Sequence, residues 1–326
     1  MELLEIALSS LYFLTLKEKI LLRKNIDRIE RLAVLSIEDI SLIIGRSLGS
    51  RVSWDGNEVV RQSRLASSIM EGQGISACLY GDDDYPPLLK EIVNPPFCVY
   101  YRGDVRCLGK ETVSVVGTRK PCRESAVATL EFAKAAAEDS VTVVSGNAIG
   151  IDSFAHRGAL SSGKEASTAA VLPCGIDIIV PAGNKAMLSQ VIRTGGVVLS
   201  EYIPGCPAEK WRFVQRNRLI AALSPATVVM QAPAGSGALI TASFALDYNR
   251  DVMFHSSAFC EEAKKIDEVA AERLGSSGTG KVVRRCAMYV DSGAPVIDDY
   301  GEYKKALRDA PGSHSVCGDG QLDLLE

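Results

Sequence analysis

From residue 112 onward, short β-branched and apolar runs alternate with stretches of helical periodicity. No other feature constrains the fold as much. The candidate strands are 112–116, 141–145, 168–172, 196–199, 227–230 and 251–254. Helical patterns lie between them, near 123–138, 152–161, 184–194, 212–223 and 237–249. Alternation at this period predicts βαβ units, hence an α/β fold with a parallel sheet. Val141-Thr142-Val143-Val144 is nearly continuous in apolar character, as a strand covered on both faces must be. The expected core is a six-stranded doubly wound sheet, with any ligand at the carboxyl ends of the strands. The first 70 or so residues read instead as a small helical bundle. There Ser36-Ile37-Glu38-Asp39 forms a variant capping box ahead of an apolar run. Asp82-Asp83-Asp84-Tyr85-Pro86-Pro87 reads as an exposed acidic turn before a proline stop.

Composition narrows the function class. The chain has 326 residues, 47% hydrophobic and 23% charged, enough for a sizeable core. The net charge of −4 excludes an overall basic coat for nucleic acid. By segment, residues 112–256 carry 13 basic and 11 acidic groups, against 14 and 16 before them and 9 and 13 after, so only the middle is cationic. Nine cysteines, no two close in sequence, argue against a zinc knuckle or disulfide framework and for a reducing cytoplasm. There is no long apolar run to span a membrane, and Met1-Glu2-Leu3-Leu4-Glu5 lacks the basic start of a secretory signal. The expected location is cytoplasmic.

The strand ends hold the candidate site. Gly117-Thr118-Arg119 follows the first strand; the glycine permits close backbone approach and the arginine can fork onto a phosphate. Ser145-Gly146 to Gly150-Ile151-Asp152 follows the second and opens a helix whose N–H groups can face an anion. Its glycine spacing is neither a dinucleotide fingerprint nor a phosphate-binding P-loop, so no nucleotide cofactor is expected. Asp152 and His156 share a helix face; the plainer reading is a cap and a structural histidine rather than an acid–base pair. Ser236-Gly237 opens another helix after the fifth strand.

Lys210-Trp211-Arg212-Phe213-Val214-Gln215-Arg216-Asn217-Arg218 adds four positive charges and no acid. Cations neutralise phosphates, and an aromatic can stack on an unpaired base. A duplex shows no free base face, so the combination points to single-stranded nucleic acid. Trp211 reads as core packing beneath a basic helix, Phe213 equally as core or as stacking platform, and Arg218 equally as structural or functional.

These motifs, in this order and spacing, resemble the DNA processing protein A family (DprA, also called Smf). Ser114-Val115-Val116-Gly117-Thr118-Arg119, Ser145-Gly146 to Asp152 with His156, and Ser200-Glu201 carry the likeness. So do Phe213 with Arg216-Asn217-Arg218, Ser236-Gly237, and the lead-in Tyr85-Pro86-Pro87. The resemblance implies an extended Rossmann-like domain with no cofactor and no catalytic activity. It implies binding of single-stranded DNA, loading of RecA recombinase onto it in natural transformation, and a homodimer. It places the strand-binding arginine on Arg119, the basic and stacking pair on Lys210 and Phe213, and further contacts on Gly117, Ser145, Gly146, Arg216, Asn217, Ser236 and Gly237. The expected domains are 1–75 (helical), 76–308 (Rossmann-like) and 309–326 (a short acidic tail, too small for the winged helix many members carry). Three departures stand out: Val180-Pro181 in place of Tyr-Pro, Phe213-Val214 in place of Phe-Pro, and Phe254-His255-Ser256-Ser257 in place of Val-Pro-Gly. The second predicts a loosened backbone, and the third sets the loop after residue 254 off the family pattern. Gly293-Ala294-Pro295-Val296 resembles the family's closing stretch, so the fold is expected to continue to about 308 after an insertion near 257–285. The competing reading is a nucleoside-monophosphate hydrolase of related fold, but Pro233-Ala234-Gly235-Ser236-Gly237-Ala238 is followed by no acid until Asp247. A nucleotide-sensing scaffold would leave the 210–218 cluster unexplained.

Overall fold

Capping fixes the starts of the N-terminal helices. In the computed structural model, which describes residues 1–49, 52–276 and 283–309, five of them precede the sheet. These are α1 (Leu3–Ser10), α2 (Leu16–Asn25), α3 (Ile29–Val34), α4 (Ile37–Ile44) and α5 (Gly56–Gln73). Thr15 with Glu18, and Ser36 with Asp39, close reciprocal boxes on α2 and α4, and Asp55 accepts two amides at the start of α5. Each cap is worth about 1 kcal/mol.

The lead-in contributes β1 (Ser76–Leu79), the short α6 (Pro87–Lys90) and β2 (Cys98–Gly103). The alternating region follows as β3 (Thr112–Gly117), α7 (Arg123–Glu138), β4 (Thr142–Ser145), α8 (Ile151–Ser161), β5 (Thr168–Val171), α9 (Lys185–Arg193) and β6 (Val197–Ser200). It continues with α10 (Lys210–Ala222), β7 (Ala226–Gln231), α11 (Gly237–Asp247) and β8 (Asp251–His255). The chain then runs through α12 (Glu261–Gly275), α13 (Cys286–Asp291), β9 (Val296–Ile297) and α14 (Tyr300–Asp309). The six expected strands are all present. The sheet is larger than expected, with nine strands among the described residues in the order β1-β2-β6-β5-β4-β3-β7-β8-β9. Only the pairings β1–β2 and β2–β6 are antiparallel.

The order reverses between β3 and β7. From β3 the chain builds outward through β4, β5 and β6, then α10 carries it back to the other side of β3. The crevice at such a switch point, outside the carboxyl ends of the strands, is where doubly wound sheets bind ligands.

Alternation along each strand divides the core. Val113, Val115, Val143 and Val228 pack against α7, α8 and α14. Val116, Val144 and Val229 pack on the other face with α10 and α11. A third cluster joins the N-terminal helices to α9 and the β2–β6 edge. Helix α10 is pinned to β3 by polar groups. Ser114, buried mid-strand, donates to the Ile220 carbonyl at 2.6 Å, and Thr112 donates to that of Leu223 at 2.7 Å.

One sequence expectation needs correction: Val214 does not loosen the backbone, since α10 is continuous from Lys210 to Ala222. In the stretch expected as an insertion the described residues include α12, and after it β9 extends the sheet by pairing parallel to β8. The tail beyond 309 lies outside the described residues.

Candidate nucleic-acid interface

A cleft of about 610 Å³ opens at the switch point. Gly117, Arg119, Lys210, Phe213, Arg216, Asn217, Ser236 and Gly237 line it, together with Val214 and Asp152. Eight of the ten sequence-derived site residues therefore meet in one place. The other two, Ser145 and Gly146, are buried beneath it. The Ser145 hydroxyl donates to the Val115 carbonyl at 2.7 Å and is not offered to a ligand.

Arg119 and Lys210 are exposed and Phe213 is half-buried. The Arg119 guanidinium lies 5.5 Å from the Phe213 ring centroid, a cation–π contact between the loop after β3 and the first turn of α10. Opposite them, Ser236 caps α11, its hydroxyl accepting from the Ala238 amide at 3.3 Å. Asn217 donates to the Gly237 carbonyl at 3.2 Å and so ties α10 to the start of α11.

The other expected anion site, at the start of α8, is filled by the protein itself. The Ile151 amide donates to the Thr118 carbonyl at 3.1 Å, and Asp152 accepts the Ala148 amide at 3.2 Å. Gly150, at φ +84°, lets the Arg119 loop cross over this helix start. A Cβ there would stand 2.4 Å from the Thr118 oxygen. Of the two expected helix starts, that of α11 lines the cleft, with its Ala238 and Leu239 amides bonded to Ser236.

The cationic run is also mostly consumed. Arg212, Arg216 and Arg218 are buried. Arg212 donates to the Pro207 carbonyl, and Arg218 bridges to the half-buried Glu201 and donates to the Asn94 carbonyl at 3.0 Å. Arg216 donates to the Val171 carbonyl and faces Asp152 across Gly146. Burial lowers the Arg216 pKa and raises that of Asp152; their mutual attraction opposes both shifts without overcoming them. Of the four cations, Lys210 alone stands in solvent. Trp211, expected in the core, is 47% exposed.

His156 is fully buried, its ring nitrogens 2.7 Å from the Thr168 hydroxyl and 2.6 Å from the Gly146 carbonyl. Desolvation pushes its pKa down to about 4, so it is neutral at pH 7. It braces the loop after β4 and makes no acid–base pair with Asp152.

Sequence reasoning missed the residues that hold the loops. Gln231, at the end of β7, accepts the Cys122 amide at 2.9 Å through its side chain and the Thr118 amide at 2.7 Å through its backbone. A polar residue closing an apolar strand was the available signal. Asp267 on α12 accepts the Ala234 amide at 2.7 Å and fixes the loop before α11; it lies in the stretch read as insertion, where nothing marked it.

A depression of about 660 Å³ lies elsewhere, along α7. Glu124, Glu131, Glu262, Asp298 and Asp299 surround it against Arg123, so it repels a polyanion.

Comparison with known proteins was consistent with this geometry. The sequence pattern of a family described as DNA recombination-mediator protein A matches residues 76–301. Protein Smf of Borreliella burgdorferi is 34% identical over 268 residues, covering 82% of this chain and 83% of its own. The X-ray structure of DNA processing protein A from Streptococcus pneumoniae is similar with a TM-score of 0.67 and 26% identity, covering 94% of this chain and 95% of its own. DNA processing protein A from Helicobacter pylori, whose structure is described for its single-stranded DNA binding mode, is similar with a TM-score of 0.51 and 28% identity. It covers 62% of this chain and 96% of its own.

Proposed function

The chain belongs to the DNA recombination-mediator protein A family, and from that premise we propose that its switch-point cleft binds single-stranded DNA. The observation that carries the reading is the convergence of Arg119, Lys210 and Phe213 at the mouth of one cleft, opposite the start of α11. Arg119 and Lys210 neutralise phosphates; Phe213 takes a splayed base, worth about 1–3 kcal/mol. The Ser236 hydroxyl, which accepts the Ala238 amide, keeps its own proton to donate to a backbone oxygen. Strand specificity follows from stacking, because a duplex keeps its base faces covered.

The same reading extends to partners. We propose that the DNA-bound protein loads RecA recombinase onto the strand during transformation, works as a homodimer in the cytoplasm, and catalyses no reaction. The family resemblance supports these steps. No helix among the described residues is long and apolar enough to cross a membrane.

The decisive experiment titrates labelled oligothymidylate and a duplex control at two salt concentrations. Arg119→Ala, Lys210→Ala and Phe213→Ala each weaken single-strand binding, the last by about 5- to 150-fold. Lys210→Ala and Arg119→Ala each flatten the log–log salt slope by about 0.7, and Phe213→Ala leaves it unchanged. Equal weakening toward duplex by Phe213→Ala would sink the stacking role. RecA filament growth on strands coated with single-strand-binding protein tests the loading step. Release of base from a nucleoside monophosphate, lost in Asp152→Ala, would establish an enzyme instead.

A further inference from the structure

Over its first two turns helix α10 buries one arc and presents the other to water: Arg212 and Arg216 are buried, while Lys210, Trp211 and Val214 are exposed. At about 100° per residue, Phe213, Lys210, Val214 and Trp211 follow one another in that order around the first turns. The first three line the cleft. The exposed strip therefore begins at the cleft and ends on the indole.

That indole is held in place. Its N–H donates to the Glu209 carboxylate, the Arg212 guanidinium lies 4.9 Å from its ring centroid, and Tyr202 meets it edge-on at 6.4 Å. Arg212 also bridges to Glu209 at 3.5 Å, offsetting the negative charge beside the ring. Leaving about half of an indole in water forgoes the burial that normally stabilises this side chain. A fixed, half-exposed aromatic next to a free cation has the composition of a base-stacking platform.

We infer that Trp211 is a second stacking subsite for single-stranded nucleic acid, reached by a strand that leaves the cleft at Phe213 and crosses Lys210. It rests on the single-strand reading above. One base occupies the cleft, the following phosphates pass Lys210, and a later base lies on the indole. A protein partner fits less well: the exposed apolar neighbour on this strip is Val214, whereas a protein hot spot is ringed by contacts that exclude water.

The chain has two tryptophans. Trp54 is half-buried in the helical bundle, its N–H on the Leu35 carbonyl at 2.7 Å. Emission of the intact protein is expected to be quenched by a ten-residue oligothymidylate. Trp54→Phe keeps the quench and Trp211→Phe loses it while retaining most of the affinity. Trp211→Ala weakens the decamer by about 5- to 150-fold and leaves a trinucleotide unaffected, whereas Phe213→Ala weakens both. Decamer binding by Trp211→Ala at wild-type strength would overturn the subsite, and so would an unquenched Trp211. Altered self-association of Trp211→Ala with unchanged decamer binding would give the indole to a protein partner and reject the inference. A wild-type chain that binds neither length fails the single-strand reading itself and takes this inference with it.

Discussion

Arg216 shows what a charge can do besides meet a ligand. It sits in the middle of the cationic run, yet it is fully buried, donates to the Val171 carbonyl and faces Asp152 across Gly146. Arg218 likewise spends its charge on Glu201. A buried guanidinium without its partner costs about 3–5 kcal/mol, so these arginines hold α10 in place rather than grip phosphate. His156 belongs with them. Its folded pKa of about 4 lies below the unfolded value of 6.5, so between those limits the unfolded chain binds the extra proton. Its contribution to stability is therefore complete above about pH 6.5 and falls away as pH drops toward 4. The loss amounts to something on the order of 3 kcal/mol. Urea unfolding followed from pH 7 to pH 4 is expected to show that decline, and His156→Gln is expected to flatten it. An unchanged slope in the variant would place the titrating group elsewhere.

At the scale of elements, the site is a problem of bringing three chain segments close together. The loop after β4, the start of α8 and α10 meet where Gly146 separates Asp152 from Arg216. A Cβ on Gly146 would lie 2.4 Å from the Asp152 carboxylate and 2.6 Å from the Arg216 guanidinium. Both neighbours are buried, so neither swings away freely. Gly146→Ala is accordingly expected to destabilise by about 1–3 kcal/mol, the usual cost of overpacking. It is also expected to push α10 off its seat, weakening oligonucleotide binding although the residue is buried beneath the cleft. A variant with full stability and full binding would show that the packing there is looser than these distances state. The tie from Asn217 to Gly237 works in the same sense, coupling the helix that carries Phe213 to the helix that Ser236 caps.

Across the whole molecule, the helical N-terminal region and the sheet share one apolar cluster. Ile6, Leu8 and Leu22 belong to the same buried group as Tyr100, Val198 and Tyr202. Within it the Ser9 and Tyr100 hydroxyls lie 2.6 Å apart, out of water. Elements joined through a common core unfold together. Calorimetry is expected to show a single transition, and Tyr100→Phe to lower it throughout by about 1 kcal/mol. Two separated transitions, only one of them moved by the substitution, would mean that the bundle and sheet are independent.

Much of this architecture is written locally. The β-branched runs and the helical periods between them dictate six parallel strands, because period and burial are properties of short segments. Gly117, Arg119, Lys210, Phe213 and Ser236 are legible as candidates for the same reason, since each stands at a strand end or a helix start. Tertiary structure alone decided which charges remain free. Lys210 and Arg216 look equivalent in the run, and only the path of α10 across the sheet puts one in solvent and the other beneath the cleft. It also decided that the start of α8 is covered by the Arg119 loop and that Trp211 faces water. Charge and aromaticity belong to a residue, but access to solvent depends on what distant segments bring against it.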